Sequence, residues 1–323
     1  MLEMENKVLR FLARMGARGS LGQAVYDYLQ DGREAFVVSA DLAHASGFDR
    51  IKERFPERLI NVGIAEQNLI GVASGLAKTG IPVVATSWAM FTSARAADQV
   101  RNFMGYMQSN VKLIGMDSGF VQSGFSYSHT NPPDIAIMRA IPGIKIISPC
   151  DGIEIYKTVY EALDTQGPIY IRLTGGSMLP IIHKDVSFHY GIGKAVILKE
   201  GDDAALIGCG NAVDNLITTS EILEREDISA KVIDMHTVKP LDIEILDGLS
   251  DYRLIVTAEN HLKQSGLGGA VAEYYAGKYK RPQQLIFGVD DFYPKTGSAK
   301  YVEEVVGLNP EYMARQIVKT LNH

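Results

Sequence analysis

Asn61-Val62-Gly63-Ile64-Ala65-Glu66-Gln67 carries the chain from a short apolar stretch into a segment of helical spacing, 66–78. Gly63 permits the tight turn this junction needs, because a residue without a Cβ enters left-handed conformations at little cost. Glu66 then falls in the first helical turn, where the macrodipole favours a carboxylate. Taken alone, that placement suits an ordinary first-turn acid as well as a reactive one.

Outward from this junction, short runs rich in Val and Ile alternate with longer segments of helical period. The expected strands are 35–39, 82–87, 111–116, 145–148 and 169–173, then 204–208, 230–234, 254–258 and 285–289. The expected helices are 21–30, 66–78, 94–106, 133–140, 152–164, 212–226, 242–249, 268–276 and 310–321. Continuous apolar strands alternating with helices indicate parallel sheets covered on both faces, an α/β fold of two doubly wound domains. The alternation pauses between Gly175 and Gly193, where Gly175-Gly176-Ser177, Pro180 and the polar stretch 183–189 read as a linker. The expected domains are 1–185 and 186–323.

The bulk composition agrees. A chain of 323 residues with 46% apolar and 22% charged residues can bury two cores. Its net charge of −6 offers no basic field for nucleic acid or an anionic membrane. Apolar runs break well before the ~18 residues a membrane span needs, and the acidic start, Met1-Leu-Glu-Met-Glu, lacks a secretory pattern. Cys150 and Cys209 lie far apart in apolar segments, so two buried, reduced thiols in the cytoplasm are expected.

Directly after the run ending at Ser87 comes Trp88-Ala-Met-Phe91-Thr-Ser-Ala-Arg95-Ala-Ala-Asp98-Gln99-Val-Arg101-Asn102. In parallel sheets, ligands bind beyond the carboxyl ends of the strands. Trp88 and Phe91 at helical spacing fit a core. Beside a carboxylate on a neighbouring strand end, they also suit a planar heteroaromatic ligand.

These stretches resemble the thiamine-diphosphate enzymes of the transketolase group, over essentially the whole length. More narrowly, the chain is similar to the C-terminal half of a transketolase encoded as two chains. The match adds Asp134-Ile-Ala-Ile-Met-Arg-Ala-Ile-Pro-Gly143, Val232-Ile-Asp-Met-His-Thr-Val-Lys-Pro-Leu-Asp242, Glu259-Asn-His261 and Gly266-Leu-Gly-Gly269. The resemblance implies a pyrimidine-binding domain followed by a transketolase C-terminal domain. It also implies that Glu66 hydrogen-bonds N1′ of the cofactor's aminopyrimidine and so promotes loss of the thiazolium proton. Phe91 would stack on that ring with Trp88 alongside, Ile64 would pack against the folded cofactor, and Asp41 would line the cleft.

The family's cation-binding Gly-Asp-Gly segment has no counterpart here. Gly201-Asp202-Asp203 precedes an expected strand and reads as a turn. No metal is therefore expected on this chain. The diphosphate and its Mg²⁺ or Ca²⁺ would be held by a partner, the N-terminal transketolase subunit, most simply in an α2β2 assembly.

On the substrate side the resemblance gives Arg18 and Arg172 to a sugar phosphate and His129 to donor oxygens and proton transfer. Three positions depart from the common pattern. Phe125 replaces an aspartate that recognises a donor hydroxyl, Asp117 replaces a histidine, and Ala45, flanked by His44 and Ser46, replaces a serine. They point toward a branched, deoxygenated or otherwise modified ketose. His236 and His261 lack metal-ligand spacing and read as structural.

The expected function is therefore a transketolase subunit that moves a two-carbon ketol unit from a ketose phosphate to an aldose. The competing readings are the β subunit of a 2-oxo-acid dehydrogenase, a fragment of a 1-deoxyxylulose-5-phosphate synthase, and a non-catalytic regulatory subunit that keeps the fold.

Overall fold

The computed structural model describes residues 2–130 and 133–322. Asn131 and Pro132, in the loop singled out for His129, lie outside the described residues, as do Met1 and His323. In chain order the strands are β1 (Phe36–Ser39), β2 (Leu59–Asn61), β3 (Val83–Trp88), β4 (Val111–Met116), β5 (Lys145–Ile147) and β6 (Ile169–Arg172). They continue with β7 (Val196–Lys199), β8 (Ala204–Gly208), β9 (Ala230–Asp234), β10 (Thr237–Lys239), β11 (Leu254–Leu262) and β12 (Gln283–Val289).

Two sheets result. The first runs β10-β5-β6-β4-β3-β1-β2 and the second β12-β11-β8-β9-β7. Pairing is parallel except for β10 against β5 and β7 against β9. Every residue of β4, β6 and β8 is buried, as expected of parallel strands covered on both faces. The mixed α/β architecture agrees with the reading from sequence.

β10 comes from the second half yet completes the first sheet as its edge strand. One apolar cluster also unites the halves: Leu69, Val83, Leu113 and Ile146 join Ile207, Ile233, Ile255 and Val271. The two sheets therefore share a core and hold each other in place.

Three differences from the sequence reading bear on the site. The first helix runs from Leu2 to Gln30, far beyond the expected 21–30, with a kink at Gly16 (φ 69°). A Cβ on Gly16 would lie 2.5 Å from the carbonyl oxygen of Gly176, so this close approach of two backbones requires glycine. The expected helix 94–106 begins earlier and is largely π-helical, over Phe91–Arg95 and Val100–Tyr106, a form often found at functional sites. The short strands β2, β7 and β10 and the helices Asp49–Arg54 and Ala299–Val305 were not expected.

Candidate active site

In the first sheet β1 lies between β2 and β3, so the chain leaves it in one direction and returns on the other side. A crevice forms at the carboxyl ends where the order reverses. Asp41 follows β1, Glu66 follows β2, and Trp88 ends β3, which places all three at this edge.

Asn61 ties the first two strand ends together. Its Oδ1 accepts from the backbone N–H of Asp41 and of Gly63, both at 3.0 Å, and its Nδ2 donates to Asp41 Oδ1 at 3.0 Å. Asp41 is held at φ 61°, a conformation uncommon for a residue with a Cβ and concentrated at functional sites. Gly63, at φ 72°, makes the turn, and the helix Glu66–Ala77 starts two residues beyond Ile64. Ile64 is 78% exposed, an apolar side chain left uncovered at the rim.

Glu66 is buried, at 3% exposure. Ser87 Oγ donates to its Oε1 at 3.3 Å, and Arg95 Nη1 lies 3.3 Å from its Oε2. A carboxylate offers about four acceptor positions, so two long contacts leave it able to engage another group. The Arg95 guanidinium lies 4.1 Å from the centre of the Phe91 ring. Phe91 packs edge-on against His129 at 5.4 Å between ring centres, and Phe125 covers the other side of His129 at 5.5 Å. Ser128 Oγ sits 2.9 Å from His129 Nδ1. A buried carboxylate, an aromatic face and a second ring thus lie together, with the exposed aliphatic side chain of Ile64 two residues before the carboxylate. Those groups fit an aminopyrimidine ring.

A second group adjoins the first through Trp88. The Arg18 guanidinium stands 5.0 Å from the centre of the Trp88 ring. Its Nε donates to Asp117 Oδ1 at 3.2 Å, and its Nη2 closes the pair on Oδ2. Gln122 Nε2 donates to the same oxygen. Asp117 is buried and strained, at φ 51°, whereas the Arg18 side chain is 40% exposed. Arg18 is therefore positioned at the crevice, but its charge already has a partner.

Arg172, expected to bind a sugar phosphate, is engaged inside the protein. It is fully buried, with Nε donating to Asp134 Oδ2 at 2.8 Å and Nη2 to the Asn260 carbonyl at 2.7 Å. Tyr170 Oη donates to the same Asp134 oxygen at 2.9 Å. The side chain turns into the junction of the two halves. The flanks of Ala45 also lead away from the crevice. Ser46 is buried against Thr86 Oγ1 at 3.1 Å, and exposed His44 pairs with Asp49 at 2.7 Å.

Gly201-Asp202-Asp203 bends into β8, with Asp203 Oδ2 accepting from Ser229 N–H at 2.7 Å. His261 Nε2 accepts from Ala136 N–H at 3.1 Å, and burial lowers its pKa. Glu259 accepts from the amides of Leu267 and Gly268 at the start of their helix. Reading from sequence missed Arg95, Ser87 and Asn61 as site residues. The four-residue spacing of Phe91 and Arg95 was a usable signal, since it puts both on one helical face.

Two family models match the chain: "Transketolase, pyrimidine binding domain" over residues 14–178 and "Transketolase, C-terminal domain" over residues 193–313. A protein of Methanocaldococcus jannaschii described as a transketolase C-terminal section is 35% identical over 306 residues, covering 95% of this chain and 96% of its own. A 6-deoxy-6-sulfo-D-fructose transketolase subunit of Clostridium sp. (strain MSTE9) is 34% identical over 290 residues, covering 90% and 89%. Among solved structures, a split-gene transketolase crystallised as an inactive β4 tetramer superimposes with a TM-score of 0.85. It shares 32% identity and covers 95% of this chain and 98% of its own.

Proposed function

Because this chain belongs to the transketolase family, we propose that it is the pyrimidine-side subunit of a two-chain transketolase whose site is completed by a diphosphate-binding partner. The observation that carries this reading is buried Glu66, held by Ser87 and Arg95 beside the Phe91 ring at the sheet's switch point. Thiamine diphosphate, on which the family depends, would supply a carbon nucleophile for the ketose carbonyl when bound.

This chain's residues have the following roles. Glu66 takes and returns a proton at the cofactor's ring nitrogen. Ser87 and Arg95 fix the direction of its carboxylate, and Phe91 stacks on the ring. Ile64 would pack against the cofactor, Asp41 would line the cleft, and Trp88 would lie alongside the ring. His129, between Phe91 and Phe125, moves protons on the substrate oxygens.

The partner holds the diphosphate through Mg²⁺ or Ca²⁺, and the assembly is α2β2. The related split-gene chain is inactive as a β4 tetramer, which supports a requirement for the second subunit. Free, buried Cys150 and Cys209 accord with a cytoplasmic enzyme. Among the described residues no helix is long and apolar enough to cross a membrane.

The donor differs from the standard sugar phosphates. Asp117 occupies Arg18, Arg172 is buried, and the exposed ring of Phe125 stands where a hydroxyl would otherwise be read. A site with an apolar wall and a neutralised cation favours a modified ketose over a polyhydroxylated phosphate. The test is reconstitution with the diphosphate-binding partner, then a screen of ketoses carrying phosphate, sulfonate or neutral ends. Ketol transfer that needs both chains is expected. Decarboxylation of a 2-oxo acid, or transfer by this chain alone, would overturn the assignment.

A further inference from the structure

Away from the crevice, four metal-ligating side chains converge where the two halves meet. Cys150 follows β5, Glu154 lies in the first turn of the helix Gly152–Asp164, His183 belongs to the linker, and Asp234 ends β9. All four are buried, with one ligand atom of each lying within 4.8 Å of the others. We propose that Cys150, Glu154, His183 and Asp234 form a structural site for one divalent transition metal, zinc by ligand type, which joins the two halves of the chain.

The separations suit a tetrahedral ion. Cys150 Sγ lies 3.6 Å from His183 Nε2 and 3.3 Å from Asp234 Oδ2. His183 Nε2 lies 3.3 Å from Asp234 Oδ2 and 3.6 Å from Glu154 Oε1. Zinc–sulfur bonds of about 2.3 Å and zinc–nitrogen or zinc–oxygen bonds of about 2.0–2.1 Å would place tetrahedral ligand atoms about 3.3–3.6 Å apart. Pairs that include sulfur belong at the upper end of that interval and nitrogen–oxygen pairs at the lower end, and each of the four distances lies within about 0.3 Å of its place.

A second observation is independent of spacing. Among the described residues Glu154 Oε1 and Asp234 Oδ1 accept no hydrogen bond, although both side chains are fully buried. His236 Nε2, also fully buried, has no hydrogen-bond partner among the described residues and lies 4.0 Å from Glu154 Oε1. Unsatisfied polar atoms are rare in interiors, and here three border one cluster. Two buried carboxylates with one imidazole between them are costly unless a further cation compensates them.

The surroundings hold the ligands in place. Glu154 Oε2 accepts from Cys150 N–H at 2.6 Å. Asp151 is occupied elsewhere, with Oδ1 accepting from Glu154 N–H and Oδ2 from the amides of Ile182 and His183. Phe188 stacks on the His183 ring at 3.8 Å and fixes its plane. Such supporting contacts are typical of metal sites. A cleft of about 660 Å³, lined by His183, Phe188, Asp214 and Val232 among others, adjoins the cluster at His183. Cys150 would bind as thiolate, releasing its proton on metal uptake.

The test uses the full chain, untagged, purified from zinc-supplemented medium. Elemental analysis is expected to give about one zinc per chain, and exchange with Co²⁺ a thiolate-to-cobalt charge-transfer band. Cys150→Ser should abolish the band and Cys209→Ala should keep it. Removing the metal should lower Tm on the order of 5 °C or more. One equivalent of another divalent transition metal would still support the site. Wild-type protein below a tenth of an equivalent, with Tm unmoved by zinc or chelator, would overturn the proposal and leave a proton-sharing cluster. If Cys150→Ser fails to fold, the wild-type metal content and cobalt spectrum decide alone.

Discussion

Replacing Asp117 by asparagine removes the charge that Arg18 now holds while keeping an acceptor for it. Asparagine also tolerates the left-handed backbone at this position, where φ is 51°. Two unit charges about 4 Å apart interact by about 1 kcal/mol in water and about 4 kcal/mol near a protein surface. The Arg18 side chain is 40% exposed and that of Asp117 only 2%, so an intermediate value of about 2 kcal/mol applies. A phosphate bound at Arg18 would feel the Asp117 carboxylate as repulsion of this size. Asp117→Asn should therefore lower KM for a phosphate-ended ketose by roughly 10–30-fold at low salt, with the gain shrinking as ionic strength rises. A neutral-ended ketose of the same length should change less than about threefold. The assay is steady-state ketol transfer by the reconstituted enzyme with the two donors side by side. Equal changes for both donors, or none for the phosphate, would refute the idea that Asp117 guards the anion position.

Glu66→Gln should leave the thermal transition of the chain unchanged and reduce turnover by about 10²–10⁴-fold, with the loss visible in cofactor C2-proton exchange by NMR. Arg172→Met should destabilise the fold by about 3–5 kcal/mol in urea titrations, because Asp134 is left charged and unpaired in the interior. Removing both charges with Asp134→Leu in the same chain should recover much of that loss. Gly16→Ala should cost at least about 1–3 kcal/mol, since the backbone there is left-handed and the new Cβ would meet Gly176. Far-UV circular dichroism with chemical denaturation reads this directly.

The sequence disclosed some features of this molecule and concealed others, for physical reasons. The run 111–116 was readable as a strand because both faces of β4 are buried and all its residues had to be compatible with that. The junction at Gly63 was readable because its geometry is local: a turn, a helix start and an acid lie within four residues. The surroundings of Arg172 were unreadable because its partner Asp134 lies 38 residues away and burial leaves no local mark on an arginine at a strand end. The pairing of Arg18 with Asp117 spans 99 residues and left no local signal in the sequence. The cluster around His183 was hidden for the same reason. Its members come from a strand end, a helix, a linker and the other sheet. β10 offered only three residues before a proline, too few for any period to show.

That last strand limits how the chain can be rearranged. Cutting at the linker would strip β10 from β5 and leave an unpaired edge, a template for association with other chains. A recombinant that exchanges the second half for a homologue's must therefore carry a compatible 237–239 segment, or the first sheet will be left open. The covalent seam of the polypeptide and the seam of the fold do not coincide. A graft designed on the fold's seam has the better chance of yielding soluble protein.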